Sequence, residues 1–304
     1  MSTKIEWCDE TLNPVVGCSK CSPGCDNCYA ERFAARMAKH PNQKIRDKYA
    51  GVVDDAGKWT GEVSIPYQFP FSELRNTKKP KRIFVGSMTD IFHRKIAFDF
   101  LRMLWSGMSY WRHNTYCILT KRPERMYAFC EDNANPPLPN VWLGVTVCNQ
   151  AEADEKIPIL LQTPAAKRFV SIEPMLGPVD LTRFLTSEER AYRGDNTSGF
   201  LDYEPLLHWV ICGGETGPGA RPIHPAWVRG LRNQCVGSGV PFFFKHWGEW
   251  HSWGEKLADG NENFLAFEKV ESRYRQHEGV LVSRVGKKRA GRLLDGREWN
   301  EAPA

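Results

Sequence analysis

Four cysteines lie within eleven positions near the start of the chain, at Cys18, Cys21, Cys25 and Cys28. As four ligands, their C-x2-C-x3-C-x2-C spacing allows a tetrahedral zinc site, although zinc sites usually have a dozen or more residues between the two pairs. As three ligands, Cys21, Cys25 and Cys28 have the C-x3-C-x2-C spacing that suits a cubane iron–sulfur cluster with one iron left open for a small molecule. The spacing alone leaves both kinds of site open.

The composition predicts a cytoplasmic chain. Of 304 residues, 41% are hydrophobic, and no run of 18 apolar residues exists that would cross a membrane. The first residues, "MSTKIEWCDE", lack the apolar core of a secretory signal. Thiols stay reduced in the cytoplasm, so clustered cysteines there indicate a metal site or catalysis more than disulfides.

Two short stretches concentrate positive charge in a chain whose net charge is only +5. These are "NTKKPKR" at 76–82 and "SRVGKKRAGR" at 283–292, and the chain also carries 11 Trp and 9 Tyr. Cations together with aromatic rings suit nucleic acid, through phosphate contacts and base stacking. The alternative is a basic face that is simply solvated.

A repeated pattern of strand and helix surrounds these residues. "NPVVGC" at 13–18 predicts a short strand, and 28–40 predicts a helix after the cysteines. Six further apolar runs, 25–40 residues apart, predict βαβ units. They are "RIFVGSMTD", "YCILTKRPER", "VWLGVTVCN", "RFVSIEPMLG", "HWVICGGETGPG" and "VPFFFKHWGE". The fold class is therefore predicted as α/β, a partial (βα) TIM-type barrel with an inserted hairpin region at 54–67 and a C-terminal extension.

Polar side chains follow the predicted strands, at the barrel end where active sites are built. They are Ser87, Asp90, Thr120, Lys121, Thr146, Cys148, Ser171, Glu173, Glu215, Lys245 and His246. Alternation along the strands directs Cys148 and Glu173 into the barrel mouth. Glu173 is a candidate for holding a cofactor ribose or amine, with a structural salt bridge as the alternative. Trp247 is a candidate for stacking on a base, with an aromatic core strand as the alternative.

Several longer motifs resemble a phage- and bacteria-borne family of radical S-adenosylmethionine (SAM) proteins. They include "NPVVGCSKCSPGCDNCYAE", "SMTDIFH", "LTKRPERM", "SIEPMLGPVDL", "CGGETGPGARPIHPAWV" and "GRLLDGREWNE". The resemblance runs from Ile5 to about Glu301, and the family is distantly similar to the spore photoproduct lyases, which reverse a thymine dimer in DNA. The family pattern has a non-cysteine at the position of Cys21. The third cluster ligand thus stays open between Cys18 and Cys21, beside Cys25 and Cys28.

The resemblance implies a [4Fe–4S] cluster that binds SAM and cleaves it reductively. The resulting radical would take a hydrogen atom from the substrate. It also implies an electron donor such as flavodoxin or ferredoxin. Lys121 would pair with the SAM carboxylate, beside further cofactor contacts at Ser87, Thr120, Ser171 and Glu173. Cys148 is favoured as the catalytic hydrogen donor. The predicted substrate contacts are Arg221, Lys245, His246, Trp247, Lys287, Lys288 and Arg289.

The chain is thus predicted to consist of a barrel at 1–249, with the iron–sulfur loop at 17–28, and a substrate-binding extension at 250–304.

Three functions remain open. The first is a radical SAM lyase that repairs a pyrimidine photoproduct in DNA. The second is a radical SAM enzyme that modifies a nucleic-acid base or a small molecule. The third is a zinc protein that binds nucleic acid without catalysis.

Overall fold

The structure, a computed structural model, describes residues 3, 5–65, 79–132, 135–186, 206–253 and 274–304. Its fold is α/β, with a parallel seven-stranded sheet whose strands follow one another in chain order. These strands are β1 (Glu10–Leu12), β2 (Arg82–Val85), β3 (Thr115–Thr120), β4 (Val141–Val147), β5 (Lys167–Ile172), β6 (Trp209–Gly213) and β7 (Phe242–His246). This is the order of a partial (βα) barrel, as the sequence predicts.

Helices join successive strands, which is the connection that parallel pairing requires. They are α1 (Tyr29–Met37), α2 (Gln43–Tyr49), α3 (Phe98–Tyr110), α4 (Pro123–Cys130), α5 (Gln150–Gln162), α6 (Thr182–Leu185) and α7 (Pro225–Gly237). A further short helix, α8 (Lys287–Ala290), comes after the last strand. All seven residues of β4 are buried, as in strands that are covered on both faces. The apolar runs of the sequence are thus the strands of this sheet.

The first strand lies earlier than the sequence predicts. It spans Glu10–Leu12 and pairs with β2, whereas 13–18 was the predicted strand. Pro14 has no N–H for a sheet hydrogen bond. Asn13 uses its side chain to accept the Met88 N–H at 2.9 Å, and Val16 forms an isolated antiparallel bridge with Ser64. The prediction of a strand at 13–18 is therefore wrong, and the cysteine loop is reached through an irregular segment.

The chain divides into two compact units. The first comprises residues 1–146 and 158–167, and the second comprises 147–157 and 168–304. The first unit packs α1 and α2 over a core cluster that includes Val16, Ala34 and Val52. The largest fully buried side chains of the second unit include Trp209 and Phe169. The predicted separation of 250–304 as a substrate-binding part stays a prediction.

A smaller antiparallel sheet belongs to the second unit. It has the order β8 (Trp250–Ser252), β10 (Val280–Arg284), β9 (Tyr274–His277). Trp250 anchors β8, because its indole N–H donates to the Ala220 carbonyl at 2.7 Å. The short helix α8 follows β10 and carries part of the basic stretch at 283–292.

The inserted hairpin region is described only in part. Val53 and Trp59 form an antiparallel bridge, and the Asp54 N–H donates to the Lys58 carbonyl at 2.8 Å, which closes a tight turn. Residues 66–67 of the predicted hairpin and 76–78 of the first basic stretch lie outside the described residues. Within the described chain, no helix has the length and apolar character needed to cross a membrane.

Candidate functional site

The four clustered cysteines lie on one loop that leads into α1. A 3-10 turn at Pro23–Cys25 begins at Ser22, whose hydroxyl accepts the Gly24 N–H at 3.1 Å. Cys28 is the residue that immediately precedes α1. Cys21 is exposed, whereas the other three cysteines of the loop are half-buried. The local sequence therefore holds four thiols on a short, turned segment at the surface of the first unit.

Two of these thiols interact directly. A hydrogen bond between the Cys21 and Cys25 side chains lowers the pKa of Cys25 to about 5 and raises the pKa of Cys21. Burial raises the pKa of Cys25, whereas the positive charge of Lys121 lowers it further. This hydrogen bond favours the thiolate form of Cys25, and the thiolate is the form that binds metals.

Lys121 is the cation that accompanies the loop. It directly follows β3, and its backbone N–H donates to the Asp90 carboxylate at 3.0 Å. Burial lowers the pKa of Lys121, but the negative charges of Cys25, Cys28 and Asp90 outweigh burial and raise it overall. The Lys121 ammonium therefore remains charged beside the thiols.

Arg122 ties the cysteine loop to the end of the sheet. Its guanidinium donates to the Asp90 carboxylate at 2.8 Å and to the Ser19 carbonyl and hydroxyl, each at 2.9 Å. The same guanidinium lies 4.0 Å from the Cys18 sulfur. The Ser19 hydroxyl also contacts the His93 ring at 2.8 Å. Burial and the Arg122 charge lower the pKa of His93 to about 4, so the ring is neutral at pH 7.

Two predicted cofactor residues of this unit are engaged in structural hydrogen bonds. The Thr120 hydroxyl donates to the Asp90 carboxylate at 2.7 Å. The Ser87 hydroxyl bonds to the Asn13 amide at 3.0–3.1 Å, and the Ser87 carbonyl accepts the Tyr29 hydroxyl at 2.6 Å. Both residues therefore fix the segments beside the cysteine loop, and their contacts with a cofactor stay predictions.

The loop has the right chemistry for a cluster, although its thiols are not gathered around one point. Among the described residues, no three Cys, His, Asp or Glu side chains form a group that could hold a metal ion. Four thiols on a single loop are nevertheless a donor set that iron–sulfur clusters use. A cluster held by Cys25 and Cys28, together with Cys18 or Cys21, stays a prediction.

The second unit has its own polar cluster at the ends of β5, β6 and β7. Lys245 donates to the Glu173 carboxylate at 2.6 Å, so Glu173 forms a salt bridge. His246 lies 3.7 Å from the same oxygen, and its Nδ1 is buried without a hydrogen-bond partner. Burial and the charges of Lys245 and Lys287 hold the pKa of His246 well below its usual value. The His246 imidazole is therefore neutral beside the ion pair of Lys245 and Glu173.

Other predicted residues of the second unit are packed inside it. Ser171 and Cys148 are buried, and so is Trp247, whose indole N–H donates to the Leu293 carbonyl at 2.8 Å. Arg221 binds the buried Glu215 carboxylate through its backbone N–H, Nε and Nη2, at 2.6–2.9 Å. These contacts are structural, and the burial of Trp247 leaves no open ring face for a base.

The basic residues of α8 are more accessible. Lys288 and Arg289 are exposed, and Lys287 is half-buried. Their contacts with a polyanion stay predictions.

Sequence reasoning missed the residues that hold the cysteine loop. Arg122, Asn13 and His93 were not among the predicted site residues. A signal was available for Arg122, since it stands beside Lys121 in "LTKRPER" at the end of a predicted strand. Asn13 and His93 act through contacts about 74 residues away along the chain, which no local pattern reveals.

Comparison with known proteins gives one family and a set of remote structural likenesses. No curated protein matches the chain in sequence. A cysteine-to-serine mutant of spore photoproduct lyase has 10% identity and a TM-score of 0.42, covering 93% of this chain and 70% of that one. A double mutant of the same enzyme, with bound AdoMet and dinucleoside spore photoproduct, has 8% identity and a TM-score of 0.39, covering 90% and 67%. Likeness at this level does not identify a function. A family model matches residues 2–303, and the chain belongs to that family, described as Protein of unknown function (DUF5131).

Proposed function

We propose that this chain is a radical SAM enzyme that acts on DNA. The observation that carries the proposal is the loop of four thiols with the charged Lys121 beside it, at the end of a parallel βα sheet. Parallel βα sheets place their chemistry at the carboxyl ends of the strands. The resemblance of the motifs "GCSKCSPGCDNCYAE" and "LTKRPERM" to radical SAM proteins supports the same reading.

In this proposal Cys25, Cys28 and one of Cys18 and Cys21 hold a [4Fe–4S] cluster. When bound, the cluster and SAM together supply one-electron reduction and hydrogen abstraction, chemistry that no side chain performs alone. Lys121 binds the SAM carboxylate, because its ammonium stays charged in a half-buried position. Arg122 and Asp90 hold the loop and the Lys121 backbone in one arrangement.

The zinc alternative rests on the same cysteines but has less support. A structural zinc site usually has a dozen or more residues between its two cysteine pairs, whereas only Ser22, Pro23 and Gly24 separate the pairs here. This short separation favours the radical SAM proposal.

The proposed substrate is DNA that carries a pyrimidine lesion. The exposed Lys288 and Arg289 support a polyanionic substrate. Chemistry on a base requires that the base leave the stack. Glu173, Ser171 and Cys148 keep their predicted roles as cofactor contacts and hydrogen donor, and flavodoxin or ferredoxin remains the predicted electron donor.

The experiment is anaerobic reconstitution with iron and sulfide, followed by SAM, dithionite and irradiated or plain DNA. We expect 5′-deoxyadenosine from the wild-type protein and none from Cys25→Ala or Cys28→Ala. Cys8→Ala is the matched control, because Cys8 is also half-buried but lies outside the loop. Loss of a charge-assisted contact in Lys121→Ala should weaken SAM binding by about 1–3 kcal/mol. SAM that stays intact with the reconstituted protein contradicts the radical proposal, and unchanged nucleosides in irradiated DNA contradict the lesion as substrate.

A further inference from the structure

The cysteine loop carries one thiol more than a three-cysteine cluster needs. Cys25 and Cys28 belong to both candidate ligand sets, and either Cys18 or Cys21 completes the set. A loop with a spare thiol can undergo chemistry that competes with the cluster, because thiolates both bind metals and attack disulfides. The arrangement of the four sulfurs decides which of them can react with each other.

The structure pairs Cys21 with Cys25. The Cys21 thiol donates a hydrogen bond to the Cys25 sulfur, so the two sulfurs are direct neighbours. The backbone between them is already folded into a 3-10 turn, in which the Cys25 N–H donates to the Ser22 carbonyl at 2.8 Å and the Gly24 N–H to the Ser22 hydroxyl at 3.1 Å. Pro23 restricts this turn further. The chain therefore has little freedom left to lose when the two sulfurs join.

The other two thiols of the loop are held by other parts of the first unit. The Cys18 thiol donates to the Ser19 carbonyl at 3.6 Å and lies 4.0 Å from the Arg122 guanidinium. Cys28 immediately precedes α1 and packs against the core cluster of the first unit. Cys18 and Cys28 are therefore anchored, whereas Cys21 and Cys25 are placed to react with each other.

The pair is also accessible from solvent. Cys21 is exposed and Cys25 is half-buried, so a small disulfide can reach the pair without unfolding of the loop. Five cysteines elsewhere in the chain are buried and lack this access. They are Cys117, Cys130, Cys148, Cys212 and Cys235.

We propose that Cys21 and Cys25 form a reversible disulfide that excludes the iron–sulfur cluster from the loop. The oxidant is a small-molecule disulfide of the glutathione class. One thiolate of the pair attacks a sulfur of that disulfide, whose S–S bond breaks and releases one thiolate. The second protein thiolate then attacks the mixed disulfide and releases the other small thiolate. Two protein thiols are oxidised, the small disulfide is reduced to two thiols, and the two protons pass to the released thiolates.

The disulfide and the cluster exclude each other because both need Cys25. A sulfur in a disulfide is no longer a thiolate that can bind iron. This exclusion rests on the cluster of the proposed function, whereas formation of the disulfide rests on the structure of the loop alone. Disulfides of chains in reducing compartments are usually transient, and many of them sense the redox state. The pair would thus close the loop to the cluster when the surrounding thiols are oxidised and reopen it when they are reduced.

The first experiment maps the disulfide in metal-free protein. The reduced chain is equilibrated with glutathione buffers of increasing oxidised fraction, the remaining thiols are alkylated, and tryptic peptides are identified by mass spectrometry. Peptide 21–32 contains three of the loop cysteines, and Cys18 lies in the preceding peptide. We expect peptide 21–32 to carry an internal Cys21–Cys25 link with its single alkyl label on Cys28, while Cys18 is labelled as in the reduced chain.

The order in which links form tests the pairing. We expect the Cys21–Cys25 link at a ratio of oxidised to squared reduced glutathione at least about tenfold lower than any other link, or ~30 mV for this two-electron couple. Cys21→Ser should abolish the internal link of peptide 21–32, and Cys18→Ser, the matched control, should keep it. A first link between Cys25 and Cys28, or between the two peptides, would overturn the proposal.

The second experiment tests the exclusion. Protein reconstituted with iron and sulfide is freed of both reagents and treated with oxidised glutathione without oxygen, beside metal-free protein. We expect the Cys21–Cys25 link to form at least about tenfold more slowly in the loaded protein, because iron-bound thiolates are not free to attack. A link that forms at the metal-free rate while the iron content stays constant would overturn the exclusion.

Two outcomes distinguish this inference from the proposed function. A reduced chain that takes up no iron overturns the cluster and the exclusion together. Normal iron uptake by the reduced chain, with no Cys21–Cys25 link in the oxidised metal-free chain, overturns this inference and leaves the proposed function standing.

Discussion

Replacing Arg122 by glutamine removes the contacts that fasten the cysteine loop to the sheet. The wild-type guanidinium donates to Asp90 at 2.8 Å and twice to Ser19 at 2.9 Å. Only 16% of the Arg122 side chain and 8% of the Asp90 side chain are exposed. Breaking one partner out of a buried ion pair costs about 3–5 kcal/mol. Because this pair is not fully buried, we expect Arg122→Gln to lose about 3 kcal/mol of unfolding free energy.

Two variants calibrate that value. Arg122→Lys keeps the charge but not the fork that reaches two partners at once, so we expect a loss of about 1–2 kcal/mol. Arg102→Gln is the matched control, because Arg102 pairs with Asp99 and Asp132 at 2.6 and 3.0 Å but is 41% exposed. Exposed pairs contribute about 0–1 kcal/mol.

The assay has a global and a local measurement. Urea unfolding of the metal-free protein under reducing conditions measures the free energy of unfolding. The rate of Cys18 alkylation, followed by mass spectrometry, reports opening of the loop, since Arg122 lies 4.0 Å from the Cys18 sulfur. The reasoning is refuted if Arg122→Gln loses no more stability than Arg102→Gln and its Cys18 reacts at the wild-type rate.

The remaining predictions concern single substitutions. Because the folded pKa of His93 is about 4 and the unfolded value is about 6.5, the unfolded chain takes up the proton first. Stability should fall by up to about 3 kcal/mol as pH drops from about 6.5 to 4, and His93→Gln should remove this part of the pH profile. Gly214→Ala should destabilise by about 3 kcal/mol or more in urea unfolding, because its Cβ would lie 2.0 Å from the Trp247 carbonyl oxygen. Gly230→Ala, in α7 with free space around it, should instead stabilise by about 0.5–1 kcal/mol. Of Cys18→Ala and Cys21→Ala, only one should lose the cluster absorbance near 400 nm, and loss in neither would contradict a three-cysteine site.

The sequence predicts the sheet well because each of its later strands is a short apolar run with a polar end. β2 to β7 each overlap a predicted run, although β3 and β5 begin one residue earlier, at Thr115 and Lys167. The first strand was misplaced for a non-local reason. Asn13 and Val16 are held by Ser87, Met88 and Ser64, and these contacts are invisible in the local pattern.

The candidate site is predictable in its chemistry but not in its contacts. The four cysteines could be chosen because clustered thiols indicate a metal site, and Lys121 because it directly follows a predicted strand. The sequence pattern does not show which of Thr120 and Arg122 holds the cysteine loop. In the structure the Thr120 hydroxyl donates to Asp90, whereas Arg122 binds both Asp90 and the loop. The burial of Trp247 depends on Gly214 and Gly248, whose missing side chains let two backbone segments approach closely.

The central claim is that the cysteine loop holds an iron–sulfur cluster. The most direct test is the metal content of protein that is purified without oxygen and then reconstituted with iron and sulfide. The account predicts about four iron and four sulfide per chain after reconstitution, with zinc far below one per chain. Cys25→Ala and Cys28→Ala should each lose the iron, whereas Cys8→Ala should keep it. One zinc per chain that is held by the loop cysteines and is not displaced by iron and sulfide would contradict the account.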